Sequence, residues 1–143
     1  MSHYAKINTV YKYKKELVDA LEKIYGKGNV IVSSNGLPLT NYNGLQDRNA
    51  NIIVRSDTIR QTACHQGKAA DLGFVLEDGH YRMIADNYGG VLTDTYLNLP
   101  RYYVESVIRN RLSLIDNANE NVEAIAMESV KKMTSFGGRN LEI

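Results

Sequence analysis

The chain has 143 residues, of which 43% are hydrophobic and 23% charged, and this length and composition predict one globular domain over residues 1–143. A formal charge of only +1 excludes an overall positive field that would hold duplex nucleic acid or an anionic membrane surface. The single cysteine, Cys64, excludes an internal disulfide, no apolar stretch is long enough to span a membrane, and the polar segment Met1–Val10 lacks a signal-peptide core, so we expect a cytoplasmic protein.

The first third of the chain contains two strand patterns with one helical pattern between them. His3–Val10 alternates along the chain and predicts a half-buried strand. Over Tyr13–Tyr25 apolar residues recur at helical spacing, and Gly26 ends the predicted helix. Val30–Val32 is a β-branched run that predicts a second strand, whereas Ser33–Asn49 is rich in Asn, Ser and Gly and is interpreted as a long surface loop.

The middle of the chain contains a hairpin signal. Ile52–Val54 predicts a third strand, and the polar stretch Arg55–Gln66 follows it. Ala69–Leu76 and His80–Ala85 predict two antiparallel strands, because Asp78-Gly79 between them supplies the positive-φ residues that a tight turn needs.

The last third is interpreted as a loop followed by two helices. Asp86–Leu99 carries many turn-forming residues, and Pro100 is well suited to open a helix over Arg101–Ile115. A further helix is predicted over Val122–Met133, with a frayed end after Gly137-Gly138. Together these elements predict an α+β fold: a small antiparallel sheet of about four or five strands with three helices packed on it.

Three stretches resemble a known family. They are the opening Met1-Ser2-His3-Tyr4, the helical segment Leu17–Leu21, and the central pair formed by Ala70-Asp71-Leu72-Gly73-Phe74 and Tyr81–Asp86. In order and spacing they resemble the family of the hypothetical chloroplast reading frame thirty-five and its bacterial and phage relatives, which is classed as a domain of unknown function. The resemblance implies a small antiparallel sheet with helices on one face, and it implies no particular activity.

The residue types that support catalysis or metal binding are sparse. His3, Cys64, His65 and His80 are the only soft metal ligands, and they lack the paired short spacing of zinc sites. Nothing around Cys64 matches a nucleophile motif, and no phosphate-cradling loop of the Gly-x-x-x-x-Gly-Lys type occurs. We therefore predict no metal, no cofactor and no catalytic residue.

Asp71 and Asp86 form one alternative site. They lie at similar distances from the predicted turn and could approach each other across the hairpin, as the two carboxylates of a small hydrolase would. The competing interpretation is that each carboxylate caps a strand end or pairs with a basic neighbour.

A polar ligand pocket is the favoured hypothesis. Arginines fall on strands and helix faces and can grip a phosphate or carboxylate at two points, while nearby tyrosines could stack on a ring. The predicted ligand-binding residues are Arg55, Arg82, Asp86, Asn87, Tyr88, Arg109 and Arg111. The alternative is that acidic residues such as Asp57 neutralise the arginines and that the tyrosines cover the sheet.

These patterns lead to three candidate functions. The first is a non-catalytic binding protein for a small anionic molecule, in particular a nucleotide or a nucleotide-derived signal. The second is a homo-oligomeric interaction protein that associates through a sheet edge or through the helix predicted at Val122–Met133. The third is the carboxylate-dependent hydrolase.

Overall fold

The computed structural model describes residues 5–44, 46–111 and 141–142. The strands are β1 (Ala5–Tyr11), β2 (Ile31–Thr40), β3 (Gln46–Val54), β4 (Leu72–Glu77), β5 (His80–Ala85) and β6 (Leu141–Glu142). The helices are α1 (Lys14–Tyr25), α2 (Ser56–Thr62) and α3 (Thr93–Arg111), with a short 3-10 turn at Tyr88–Gly90. The strand order is β2-β3-β4-β5-β1-β6, and every pairing is antiparallel except that of β6 with β1. The predicted α+β class, with five antiparallel strands and three helices, is confirmed.

The three helices cover one face of the sheet. Leu17 of α1, Ile59 of α2 and Tyr103 of α3 are almost fully buried in the same cluster as the sheet residues Tyr11 and Phe74. The Tyr11 ring meets the rings of Phe74 and Tyr103 edge-on, with centroids 5.9 and 4.8 Å apart. Full burial of each large apolar side chain contributes about 1.5–3 kcal/mol. This layer therefore fixes the helices on the sheet.

The opposite face of the sheet is covered by the part of the β2–β3 hairpin that lies nearest to its turn. The β2–β3 register shifts between Val32 and Leu37, where Gly36 adopts φ +85°, and the amide of Asn51 donates to the Ser33 carbonyl of β2 and accepts from Leu76 N of β4. Leu39 is consequently fully buried above Gly73, where an added Cβ would lie 2.6 Å from its Cδ1. This fold brings the turn after β2 to the start of β4.

Two stretches for which no element was predicted contain regular structure. Most of Ser33–Asn49, which was interpreted as a loop, belongs to the β2–β3 hairpin, and part of the polar stretch Arg55–Gln66 forms α2. The hairpin was missed because β2 is an edge strand whose Ser- and Asn-rich bulge has no period-2 pattern.

The start of the long helix was also misplaced. Helix α3 begins at Thr93 within the predicted loop Asp86–Leu99, and Pro100 lies inside it. Leu92 and Leu99 are 1% exposed, and their burial outweighs the lost backbone hydrogen bond at the proline.

The carboxyl-terminal predictions are only partly covered by the structure. The helix predicted at Val122–Met133 and the Gly137-Gly138 break lie outside the described residues. Leu141–Glu142 pairs with Thr9 and Val10, where a frayed end was predicted. Among the described helices, none is long and apolar enough to cross a bilayer.

Candidate anion-binding site at one end of the sheet

The arginines predicted to converge do not meet. Arg111 of α3 pairs with Glu16 of α1, with Nε–Oε1 and Nη2–Oε2 distances of 3.0 and 3.2 Å, and its guanidinium lies 3.7 Å from the centroid of the Tyr13 ring. Arg109 is exposed on the same helix. Arg82 pairs with Glu77 at 3.1 Å and points to the opposite sheet face, because Tyr81 and Met83 on either side of it face the helices. The sheet therefore separates Arg82 from the α3 arginines.

Arg55 also has an acidic partner. Its Nη1 donates to Asp71 Oδ2 at 2.7 Å and to the Pro38 carbonyl at 3.0 Å. Asp71, which is 2% exposed, also accepts from Thr40 N and Ser56 N, both at 2.8 Å. Its carboxylate thus joins β2, the start of α2 and the start of β4. Both oxygens of Asp71 thus accept from structural donors, and the carboxylate pairs with a basic neighbour, as the competing interpretation of this residue predicts.

Asp71 holds together a pocket that local sequence did not predict. The turn after β2, the start of α2 and the segment before β4 line an open pocket of about 230 Å³, which we call the sheet-end site. It is lined by Thr40, Asn41, Tyr42, Asn43, Gly44, Ser56, Arg60, Lys68 and Ala69. An adjoining pocket of about 490 Å³ is lined by Asp57, Arg60, Gln61, Cys64, His65 and Gln66. Arg60 lies between the two and lines both.

The sheet-end site carries two cationic side chains. The Nη2 group of Arg60 bonds to Asp57, while its buried Nε–H has no hydrogen-bond partner among the described residues. Lys68 is exposed and forms no ion pair within the part of the chain that the structure describes. Asp57 offsets one of the two positive charges, so the residues that line this pocket, counted together with Asp57, carry a net positive charge.

Two tyrosine rings border this pocket. Tyr42 lines it and packs on Tyr88 with centroids 4.6 Å apart and a tilt of 51°. Tyr88 is 49% exposed and belongs to the 3-10 turn after β5. Desolvation raises the pKa of Tyr42, and the Tyr88 phenol and the Asp86 carboxylate add to the rise. The rings, the acid and the pocket are therefore close neighbours.

The residues between β5 and α3 are held in place locally. Asp86 Oδ1 accepts from Tyr88 N at 3.1 Å, and Asn87 Oδ1 accepts from Leu92 N at 2.6 Å. The His65 ring packs on Gly89, where an added Cβ would lie 3.2 Å from its Cε1. His65 therefore joins the segment after α2 to the 3-10 turn. The described residues contain no group of three or more metal-binding side chains.

The sequence therefore predicted part of this site. Asp86 and Tyr88 lie beside it, Asn87 and Arg55 support the backbone around it, and Arg82, Arg109 and Arg111 lie elsewhere. Tyr42 and Lys68 were not singled out as site residues. The one available signal was Asn41-Tyr42-Asn43-Gly44, a turn-forming sequence with an aromatic residue at its centre.

Comparisons with known proteins give no match: no family model matches the chain, and searches of curated proteins and of solved structures found no similar protein. The resemblance to the chloroplast reading frame family accordingly stays a prediction from short motifs.

Proposed function

We propose that this protein binds a small anionic ligand without transforming it, and that the ligand is a nucleotide or a nucleotide-derived signal held at the sheet-end site. The observation that carries the proposal is that Arg60, Lys68 and Tyr42 line one pocket. Two cations for phosphate and a ring for a base are the elements that nucleotide binding requires.

The charges favour an anion. A phosphate at this site would lie near the Arg60 guanidinium, whose side chain is 39% exposed, and near the Lys68 ammonium. Hydrogen bonds with an ionised donor or acceptor are about twice as strong as neutral ones. An anionic ligand would thus gain charge-assisted contacts with the cations of the pocket.

The rings favour an aromatic group on that anion. Tyr42 and Tyr88 present a half-exposed aromatic surface next to the cations. Stacking of one base on an aromatic side chain is worth about 1–3 kcal/mol. The sheet-end site alone, at about 230 Å³, is smaller than the roughly 300–1,000 Å³ usual for small-ligand sites, and it reaches that range only together with the adjoining pocket of about 490 Å³. A mononucleotide fits this combination of size, charge and aromatic surface.

Isothermal titration calorimetry with AMP, GMP and inorganic phosphate tests the proposal. Lys68→Gln should weaken nucleotide binding about tenfold, because it removes a charge-assisted contact worth about 1.4 kcal/mol. Lys15→Gln is the matched control, since Lys15 is an exposed lysine of α1 that lines neither pocket. If neither nucleotide binds, or if both variants behave alike, the sheet-end site is not the binding site.

A second candidate function, self-association through β2, is favoured by a different observation. Among the described residues β2 pairs only with β3, so its outer edge exposes backbone groups. Val32 on β2 and Leu76 on β4 are 45% and 46% exposed on the helix-bearing face. Light scattering tests this alternative: a dimer that Val32→Lys converts to a monomer would support it, and a wild-type monomer at high concentration would exclude it.

A further inference from the structure

The adjoining pocket is formed at the carboxyl end of α2. His65 N donates to the Arg60 carbonyl at 2.9 Å and Cys64 N donates to the Gln61 carbonyl at 3.3 Å, while Cys64 adopts φ +51°. This pair of bonds is the Schellman motif, in which a left-handed residue turns the chain back past the end of a helix. The returning chain and α2 together line the pocket, with Asp57, Arg60, Gln61, Cys64, His65 and Gln66.

This pocket is fixed in place and is large enough for a ligand group of its own. The His65 ring packs closely on two backbone segments, since an added Cβ would lie 2.9 Å from its Nε2 at Gly67 and 3.2 Å from its Cε1 at Gly89. At about 490 Å³ the pocket falls by itself within the roughly 300–1,000 Å³ usual for small-ligand sites. Arg60 lines both this pocket and the sheet-end site. A ligand whose phosphate lies at Arg60 can therefore extend into the adjoining pocket.

The lining of the adjoining pocket favours a neutral, polar group. Asp57 and Arg60 pair with each other, so their formal charges cancel. Lys68 lines only the sheet-end site. The exposed amides of Gln61 and Gln66 can each donate and accept hydrogen bonds, as the edge of a base requires. A second phosphate in this pocket would instead share it with the Asp57 carboxylate.

We propose that the ligand consists of two nucleosides joined by one phosphodiester, with one base on Tyr42, the phosphate at Arg60 and Lys68, and the second nucleoside in the adjoining pocket. This inference rests on the proposed function, because it names the class of nucleotide that the sheet-end site holds. Such a ligand matches an aromatic ring, a cationic centre and an amide-lined pocket in turn. A mononucleotide would leave most of the adjoining pocket unused, and a nucleoside polyphosphate would place its further charges beside Asp57.

Calorimetry with adenylyl-3′,5′-adenosine (ApA) and with the methyl ester of AMP tests the inference, because both compounds carry one phosphodiester charge and only ApA has a second nucleoside. ApA should bind at least about tenfold more tightly, a factor that one stacked base supplies. ADP should bind no more tightly than AMP. Lys68→Gln should weaken ApA and the methyl ester alike, since both place their phosphate at the sheet-end site.

Cys64 reports directly on the adjoining pocket. It is the only cysteine, it is exposed, and it lines this pocket but not the sheet-end site. ApA at about ten times its dissociation constant should slow alkylation of Cys64 by iodoacetamide about tenfold through mass action, whereas the methyl ester at the same saturation should leave the rate unchanged. Conversely, protein already alkylated at Cys64 with N-ethylmaleimide, and shown by thermal melting to be folded, should bind ApA no more tightly than the methyl ester.

The outcomes separate this inference from the proposed function. Equal binding of ApA and the methyl ester, or tighter binding of ApA that leaves Cys64 unprotected, would overturn the second nucleoside and leave the anion site standing. ADP that binds more tightly than AMP and protects Cys64 would assign the adjoining pocket to a phosphate chain instead. Hexa-adenylate that binds more than about tenfold more tightly than ApA would identify a longer strand as the ligand, contrary to what a formal charge of +1 favours. Failure of every compound to bind would overturn both proposals.

Discussion

Replacing Asp71 by Asn should reveal how strongly one carboxylate holds the sheet-end site together. Asp71 is 2% exposed and accepts from Arg55 Nη1, Thr40 N and Ser56 N. An amide has one acceptor oxygen, so Asn would turn its N–H groups towards at least one of these donors. Breaking a buried charged pair costs about 3–5 kcal/mol. Because the Arg55 side chain is 38% exposed and can turn to water, we expect the lower end, about 3 kcal/mol.

The assay is urea unfolding monitored by circular dichroism, with Asp57→Asn as the matched control. Asp57 also pairs with an arginine, Arg60, but its side chain is 75% exposed, so its loss should cost at most about 1 kcal/mol. In thermal melts, about 3 kcal/mol should appear as a loss of roughly 10 °C for a chain of this size. If the two variants lose equal stability, or if Asp71→Asn loses less than about 1 kcal/mol, the argument from burial is refuted.

Three further substitutions test the fold. Gly73→Ala places a Cβ 2.6 Å from Leu39 Cδ1, so calorimetric melting should show a loss of about 1–3 kcal/mol from overpacking, and an unchanged melting temperature would contradict the close packing of the hairpin on β4. Gly79→Val should cost about 1–3 kcal/mol in urea unfolding because Gly79 adopts φ +81° in the β4–β5 turn, although no atom lies within 4 Å of an added Cβ; a neutral effect would argue against that turn conformation. Tyr103→Phe removes the oxygen that accepts from Lys12 N and Tyr13 N, and about 1 kcal/mol of stability should be lost at neutral pH. Burial raises the pKa of Tyr103 to about 12 from an ordinary value of 10.0, so its neutral form stabilises the fold fully below pH 10 and this contribution is lost as the pH rises to about 12. The variant should therefore lose less stability than the wild type between these pH values, and identical alkaline profiles would exclude this linkage.

The candidate site shows where sequence reasoning stops. Asp86 and Tyr88 were identified because they follow a predictable hairpin and are rich in hydrogen-bonding and stacking capacity. Arg111 was assigned to the ligand because it lies on a helix face among arginines that can grip a phosphate or carboxylate. Its partner is Glu16, 95 residues away in sequence, which no local pattern could identify. Arg82 was misplaced for a related reason, since the face on which a strand residue lies depends on which face the helices cover.

Local sequence patterns were sufficient to predict the elements whose apolar residues repeat with a clear period or that flank a specific turn. The strand β1, the helix α1 and the β4–β5 hairpin with Asp78-Gly79 belong to this group, and together they determined the α+β class. Only tertiary structure decided that the β2–β3 hairpin folds over the start of β4. Leu39 is buried over Gly73 and backbone groups bond to Asp71, and these contacts join segments that are far apart in the chain. The sheet-end site exists through those long-range contacts. Its residues could be read from the sequence one by one, but their meeting in one pocket follows from packing that only the folded chain supplies.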